Sequence, residues 1–248
     1  MTDQKIRKKV IFFDLNGTLI KRRKSAAQAF REALEPYIDR WDSEEKPSLV
    51  NQSCKIYSHA IRQFKKKSSA AVDERIRKAA IKRAIACLPL SRDDATITSI
   101  DRQLQMILSD QERFGRKNLL VLKRLKKHYK LALITNGIES TIRYKIKRYR
   151  LSPLISDRAI FVSSKLGKGK GKPDPAIFRH ALSKMNVKPE EAVMVGDSWK
   201  HDIEGAIRCG IDAVWVNPSD DIAPLKNSQA ASITVIRDIS ELEDIYGH

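Results

Sequence analysis

Short apolar runs that stop at glycine, a hydroxyl or a carboxylate, alternating with helix-period segments, constrain this chain more than any bulk property. Strands are predicted at residues 10–13, 131–135, 160–163, 192–196, 213–216 and 232–235, with helices at 119–127, 139–150, 175–185 and 202–209. Alternation of this kind specifies an α/β, Rossmann-like parallel sheet with right-handed crossovers and helices on both faces. The unbroken apolar run at 10–13 fits a central strand covered on both sides.

Between residues 19 and 114 no strand-like run occurs, and apolar side chains recur at helical spacing. The sets are Phe30, Leu34, Tyr37 and Trp41; Tyr57, Ile61 and Phe64; Val72, Ile76 and Ala80; and Ile97, Ile100, Leu104 and Ile107. They predict about four amphipathic helices, with breaks near 44–48, 65–70 and 88–94 where proline, serine and charges cluster. Large aromatics at such spacing are packing residues first, so Tyr57 and Trp41 are core candidates. The predicted organisation is a core from 1–18 and 115–248 and an inserted all-helical domain over 19–114. A chain of 248 residues suffices for a core of about 150 plus such an insertion.

Four loop tips carry the chemistry. Asp14 emerges at the carboxyl end of the first strand into a turn that Gly17 permits, which is where open α/β sheets bind ligands. The strand at 131–135 ends in Thr135, Asn136 and Gly137. Lys172 precedes the helix that Pro173 introduces, and a helix amino end adds positive potential. The strand at 192–196 ends in Asp197, with Asp202 five residues beyond. Singly, each has a plainer reading, because an aspartate after a strand often caps a helix and a Lys-Pro pair often starts a solvated one.

Together, in this order and spacing, they resemble the four motifs of the haloacid dehalogenase (HAD) superfamily, in its phosphatase branch with an inserted helical (C1-type) cap. The resemblance runs from Val10 to about Ser240. It implies a Mg2+-dependent hydrolase of a small phosphorylated metabolite, with Asp14 as nucleophile and the cap setting specificity. It further implies Thr135 and Asn136 as phosphate contacts and Lys172 as the positive clamp. Asp14, Asp197 and the backbone carbonyl of Asn16 would hold Mg2+, with Asp202 acting behind the ion or through water. The chemistry agrees: phosphoryl transfer needs positioning and charge stabilisation, a carboxylate nucleophile splits the reaction into two steps, and Mg2+ prefers hard oxygens. A positive Lys172 is also expected to hold Asp14 ionised.

Asn16 departs from the pattern. Most phosphatases of this superfamily carry an aspartate there, which protonates the leaving alkoxide and then activates water. An amide has no proton to exchange near neutral pH. The loss expected for a poor leaving group is about 100- to 10,000-fold. Four explanations stay open: activated phosphates as substrates, a slow phosphatase, a protein that binds phosphate or polyanions without turnover, or a laboratory substitution. A phosphotransferase would use the same residues. The Asn16-Gly17 pair is also prone to deamidation, which would convert the amide to a carboxylate.

The net charge of +18 is uneven. Residues 116–150 hold twelve lysines and arginines against one acid, Glu139, and could form a positive face that attracts polyanions weakly and without sequence preference. No nucleic-acid motif accompanies it, so no specific nucleic-acid partner is expected. The lysine-glycine alternation at 165–172 lacks the P-loop spacing and reads as a basic rim to the site. No apolar run approaches the roughly 20 residues of a membrane span. The basic residues 1–9 precede too short an apolar run for a signal peptide. Cys54, Cys87 and Cys209 are odd in number and widely spaced, consistent with buried thiols and a cytoplasmic protein.

Overall fold

The computed structural model describes residues 7–67, 72–167, 169–218 and 232–247. Residues 1–6 of the basic amino terminus, 68–70 of an expected break and Lys168 lie outside them. The chain divides into two units, one holding the described residues to Lys21 and from Phe114 onward, the other residues 22–67 and 72–113. The expected edges at 18/19 and 114/115 shift slightly because Leu19 and Ile20 are buried within the first unit's core.

The second unit contains four α-helices: α1 (Ala26–Ile38), α2 (Lys46–Lys67), α3 (Glu74–Ala84) and α4 (Asp94–Asp110). Side-chain caps set three of their starts. Ser25 forms a capping box with Gln28, and Asp73 and Asp93 accept from Ile76 and Thr96 backbone N–H groups. The break expected at 44–48 is instead partly helical, because Pro47 falls in the first turn of α2, where its missing N–H costs nothing. The apolar stripes meet in one core, with Phe30 stacked on Tyr57 at 4.3 Å. Trp41 lies beyond the end of α1 and packs against this core half-buried. Arg77 anchors the buried Asp101 through two hydrogen bonds, at 2.8 and 2.9 Å.

In the first unit, β1 (Val10–Phe13) is the centre of a six-stranded sheet. The short strands β2 (Ile20–Arg22) and β3 (Glu112–Phe114) lie where the chain passes between units. The sheet adds β4 (Lys130–Thr135), β5 (Ile160–Val162), β6 (Ala192–Gly196), β7 (Asp212–Val216) and β8 (Ile233–Ile236). The order is β5-β4-β1-β6-β7-β8 and every pairing is parallel. All four β1 side chains are fully buried, as a strand covered on both faces requires.

The helices around the sheet are α5 (Arg116–Leu125), α6 (Glu139–Arg148), α7 (Ser163–Leu166), α8 (Pro175–Met185), α9 (Glu204–Ile207) and α10 (Leu242–Tyr246). The helix expected at 202–209 begins earlier, as a π-helical turn over Trp199–Ile203 that runs into α9. Strand order reverses around β1, so the carboxyl ends of β4, β1 and β6 flank the crevice where such sheets take ligands.

Candidate functional site

Thr135 ends β4, Asp14 follows β1 and Asp197 follows β6, so three adjacent parallel strands deliver three polar side chains to one end of the sheet. Lys172 arrives from the loop before α8 and is 2% exposed. Its Nζ donates to Asp14 Oδ1 at 2.6 Å and to Asp202 Oδ1 at 2.5 Å. A buried ammonium is tolerable only with such partners. Asp202 is itself almost fully buried, and its Oδ2 accepts the Ser198 N–H at 2.9 Å.

Two devices hold these groups. Asn136 donates from Nδ2 to the Lys172 carbonyl at 2.7 Å and accepts the Lys172 N–H on Oδ1 at 2.8 Å. Its side chain therefore grips the lysine peptide. Gly171 makes the grip possible, since a Cβ there would come within 2.6 Å of Asn136 Oδ1. On the opposite side, the Thr18 hydroxyl donates to Asp197 Oδ1 at 2.8 Å, and Trp215 Nε1 donates to the Asp197 carbonyl at 3.1 Å. Gly17, at φ +100°, lets the loop lie against this carboxylate.

Oxygens of Asp14, Asp197 and Asp202 lie within 4.8 Å of one another. Burial, and then the neighbouring carboxylates, push all three carboxyls up. For Asp14, burial is the largest cause; Lys172 opposes it, Asp202 adds to it, and the result is a pKa of about 6. Lys172 pulls toward the ionised form of Asp14, and desolvation outweighs that pull, so the carboxyl ionises only as pH rises through about 6. Asp202 is raised by burial against the pull of Lys172, then by Asp197. Asp197 remains in reach of solvent, yet the protein around it desolvates the carboxyl and Asp14 repels it, while Thr18 and Lys172 oppose. Burial works against the charged form of Lys172, but Asp14 and Asp202 overcome it and raise its pKa. Such a cluster favours a divalent cation, and an all-oxygen donor set fits Mg2+. Thr135 Oγ1 is fully buried with no hydrogen-bond partner, the condition expected of a donor kept for an incoming anion.

Asn16 and Gly17 are exposed, whereas Asp14, Leu15 and Thr18 are buried. The Asn16 Oδ1 accepts a hydrogen bond at 2.6 Å from Nζ of Lys145, on α6. Thr18 and Lys145 were not singled out from sequence. Lys145 had a signal: it falls on the buried stripe of α6 with Ile142 and Ile146. The basic rim expected at 165–172 is partly engaged elsewhere, with Lys165 paired to Glu139 at 2.7 Å and Lys172 inside the site.

The sequence matches the haloacid dehalogenase-like hydrolase family over residues 8–210. The chain belongs to that family. Among its relatives, glyceraldehyde 3-phosphate phosphatase of Pyrococcus furiosus is 31% identical over 210 residues, 84% of this chain and 80% of that protein. The N-acylneuraminate-9-phosphatase of Mus musculus is 26% identical over 232 residues, 90% of this chain and 87% of that one. A phosphoserine phosphatase of Thermus thermophilus is 44% identical over 87 residues, spanning only 33% of that protein. The fold of this HAD-like hydrolase is shared with the HAD-hydrolase YfnB of Bacillus subtilis, solved bound to magnesium, at a TM-score of 0.73 and 20% identity, covering 97% of this chain and 99% of that one. Among the described residues no helix is long and apolar enough to cross a membrane.

Proposed function

We propose that this HAD-like hydrolase is a Mg2+-dependent phosphatase of a small phosphorylated metabolite, working through a phosphoryl group carried on Asp14. The observation that carries the reading is the Lys172 ammonium bridging Asp14 and Asp202, together with the partnerless Thr135 hydroxyl at the end of the neighbouring strand. The phosphatase names of relatives matched along most of the chain support it. Asp14, Asp197 and the Asn16 carbonyl would hold the cation, with Asp202 behind it; when bound it would offset phosphate charge. Asp14 Oδ2 is then left to attack phosphorus while Lys172 stays on Oδ1. Thr135 and Lys172 donate to the phosphoryl oxygens, stabilising the charge that spreads over them. Asn136 acts by fixing Lys172. Three cysteines free of disulfides are compatible with a cytoplasmic setting.

The test is phosphate release from a panel of phosphomonoesters and acyl phosphates with and without Mg2+, beside an Asp14→Asn control. Metal-dependent turnover well above that control is expected. Rates indistinguishable from the control across the panel would leave a phosphate-binding protein without turnover.

A further inference from the structure

The second unit holds a cavity of about 740 Å³, whose described lining comes only from its own helices. Lys55, His59 and Arg62 line it from α2, and Arg83 lines it from α3. Residues 55, 59 and 62 follow one another at four and three positions, so they share one face of α2. Ile56 and Ala60, four apart, set an apolar stripe beside them. No acidic residue is among the described ones that line the cavity.

These charges are uncompensated. Elsewhere in the unit basic side chains are matched, Arg77 with Asp101, Lys78 with Glu74 and Lys24 with Glu32. Among the described residues Lys55, His59, Arg62 and Arg83 have no hydrogen-bond or ion-pair partner. The reason is local: α2 contains no aspartate or glutamate from Lys46 to Lys67, so no carboxylate stands one turn away to pair with them. All four side chains are exposed, which leaves their donors open to a ligand.

We propose that this cavity binds a small organic anion, with two or more carboxylate or phosphate groups on a short apolar body, which the helical unit holds without turning it over. The volume lies within the roughly 300–1,000 Å³ of small-molecule sites. The two guanidinium groups each offer a planar fork to a carboxylate or phosphate, and Lys55 adds a point charge. A single negative charge would leave most of these donors unused, and an anion without carbon would leave the Ile56 and Ala60 stripe wet. None of the residues assigned to the cation or the phosphoryl group lines the cavity, so the proposal needs nothing from the phosphatase reading.

The test titrates benzene-1,3,5-tricarboxylate into the full chain in metal-free, low-salt buffer at about pH 8, where its acids are ionised. Calorimetry reads the affinity and nuclear magnetic resonance follows the imidazole signals, with His59→Gln assigning that of His59. Saturable one-to-one binding that moves the His59 signals is expected. Benzoate and inorganic phosphate should each bind at least about 10-fold more weakly. Isophthalate and phenylphosphonate should both bind more tightly than benzoate, and the tighter of the two identifies carboxylate or phosphate as the group that fits. Arg62→Gln combined with Arg83→Gln should weaken tricarboxylate binding about 10-fold, while Lys117→Gln combined with Lys123→Gln, which removes the same charge from α5, should change it less than about 2-fold. Asp14→Asn should bind like the wild type. If the paired arginine variant does not fold, Lys55→Gln and Arg62→Gln decide singly, at about 3-fold each. No saturation by about 10 mM ligand, an equal loss in both paired variants, or binding that leaves the His59 signals in place overturns the proposal.

Discussion

Asn136 holds the backbone of Lys172 from both sides, donating to its carbonyl and accepting its N–H. The residue that closes the second loop motif therefore determines where the lysine of the third one stands. Asn136→Ala should cost about 100-fold in kcat/KM, and in a double-mutant cycle with Lys172→Ala the losses should not add, since both remove the same placed charge. Additive losses would show that Asn136 acts on the phosphate independently.

The Asp14 carboxyl sits at about 6 against an ordinary 3.8, with burial as the chief cause. The folded state therefore binds this proton more tightly than the unfolded one, so the Asp14 contribution to stability is present below about pH 4 and is lost as pH rises to about 6. In metal-free buffer, the melting temperature of Asp14→Asn relative to wild type should be higher at pH 8 than at about pH 4. Turnover follows the opposite course, because only the ionised nucleophile attacks, and it should fall as pH drops through about 6. Equal melting differences at both pH values would contradict the assigned shift.

Addition of Mg2+ to metal-free protein should raise the melting temperature by a few degrees, since a ligand that binds only the folded state stabilises it by mass action. Asp197→Asn should abolish most of that rise without changing the far-ultraviolet spectrum. An undiminished rise in the variant would remove Asp197 from the cation site.

Gly17 sits at φ +100°, and a Cβ there would fall 2.4 Å from Asp197 Oδ2. Gly17→Ala should therefore destabilise the protein by about 2 kcal/mol, from backbone strain before any clash is counted. It should also weaken the Mg2+ response, which a denaturation series with and without the ion would reveal.

Most of the sheet was legible because β1, β4 and β6 are apolar runs of four to six residues with polar ends, and such runs have few alternatives. The helices of the second unit were legible through their period. What local pattern could not supply was partnership. The Asn136 grip on Lys172 depends on a loop 36 residues away, and the contact of Lys145 with Asn16 on one 129 residues away. The π turn at Trp199–Ile203 likewise hides in an ordinary helical composition, and it carries Asp202, whose carboxylate pairs with Lys172 inside the site. The basic segment read as one surface is divided in the structure: Arg124 pairs with Glu243, Arg143 with Glu139 and Asp157, and Lys145 turns inside.

The middle place of β1 has a consequence for how the protein is made. Its two neighbours pair through residues 130–133 and 192–195, so the strand that carries Asp14 leaves the ribosome long before either flank exists. The helices of residues 22–113, whose contacts are close in sequence, can assemble during that wait, whereas the edge of β1 opposite β4 stays unpaired until β6 is made. Any nascent chain released before residue 192 therefore lacks β6 together with Asp197 and Asp202, two of the three carboxylates, and reactivity arrives late in synthesis.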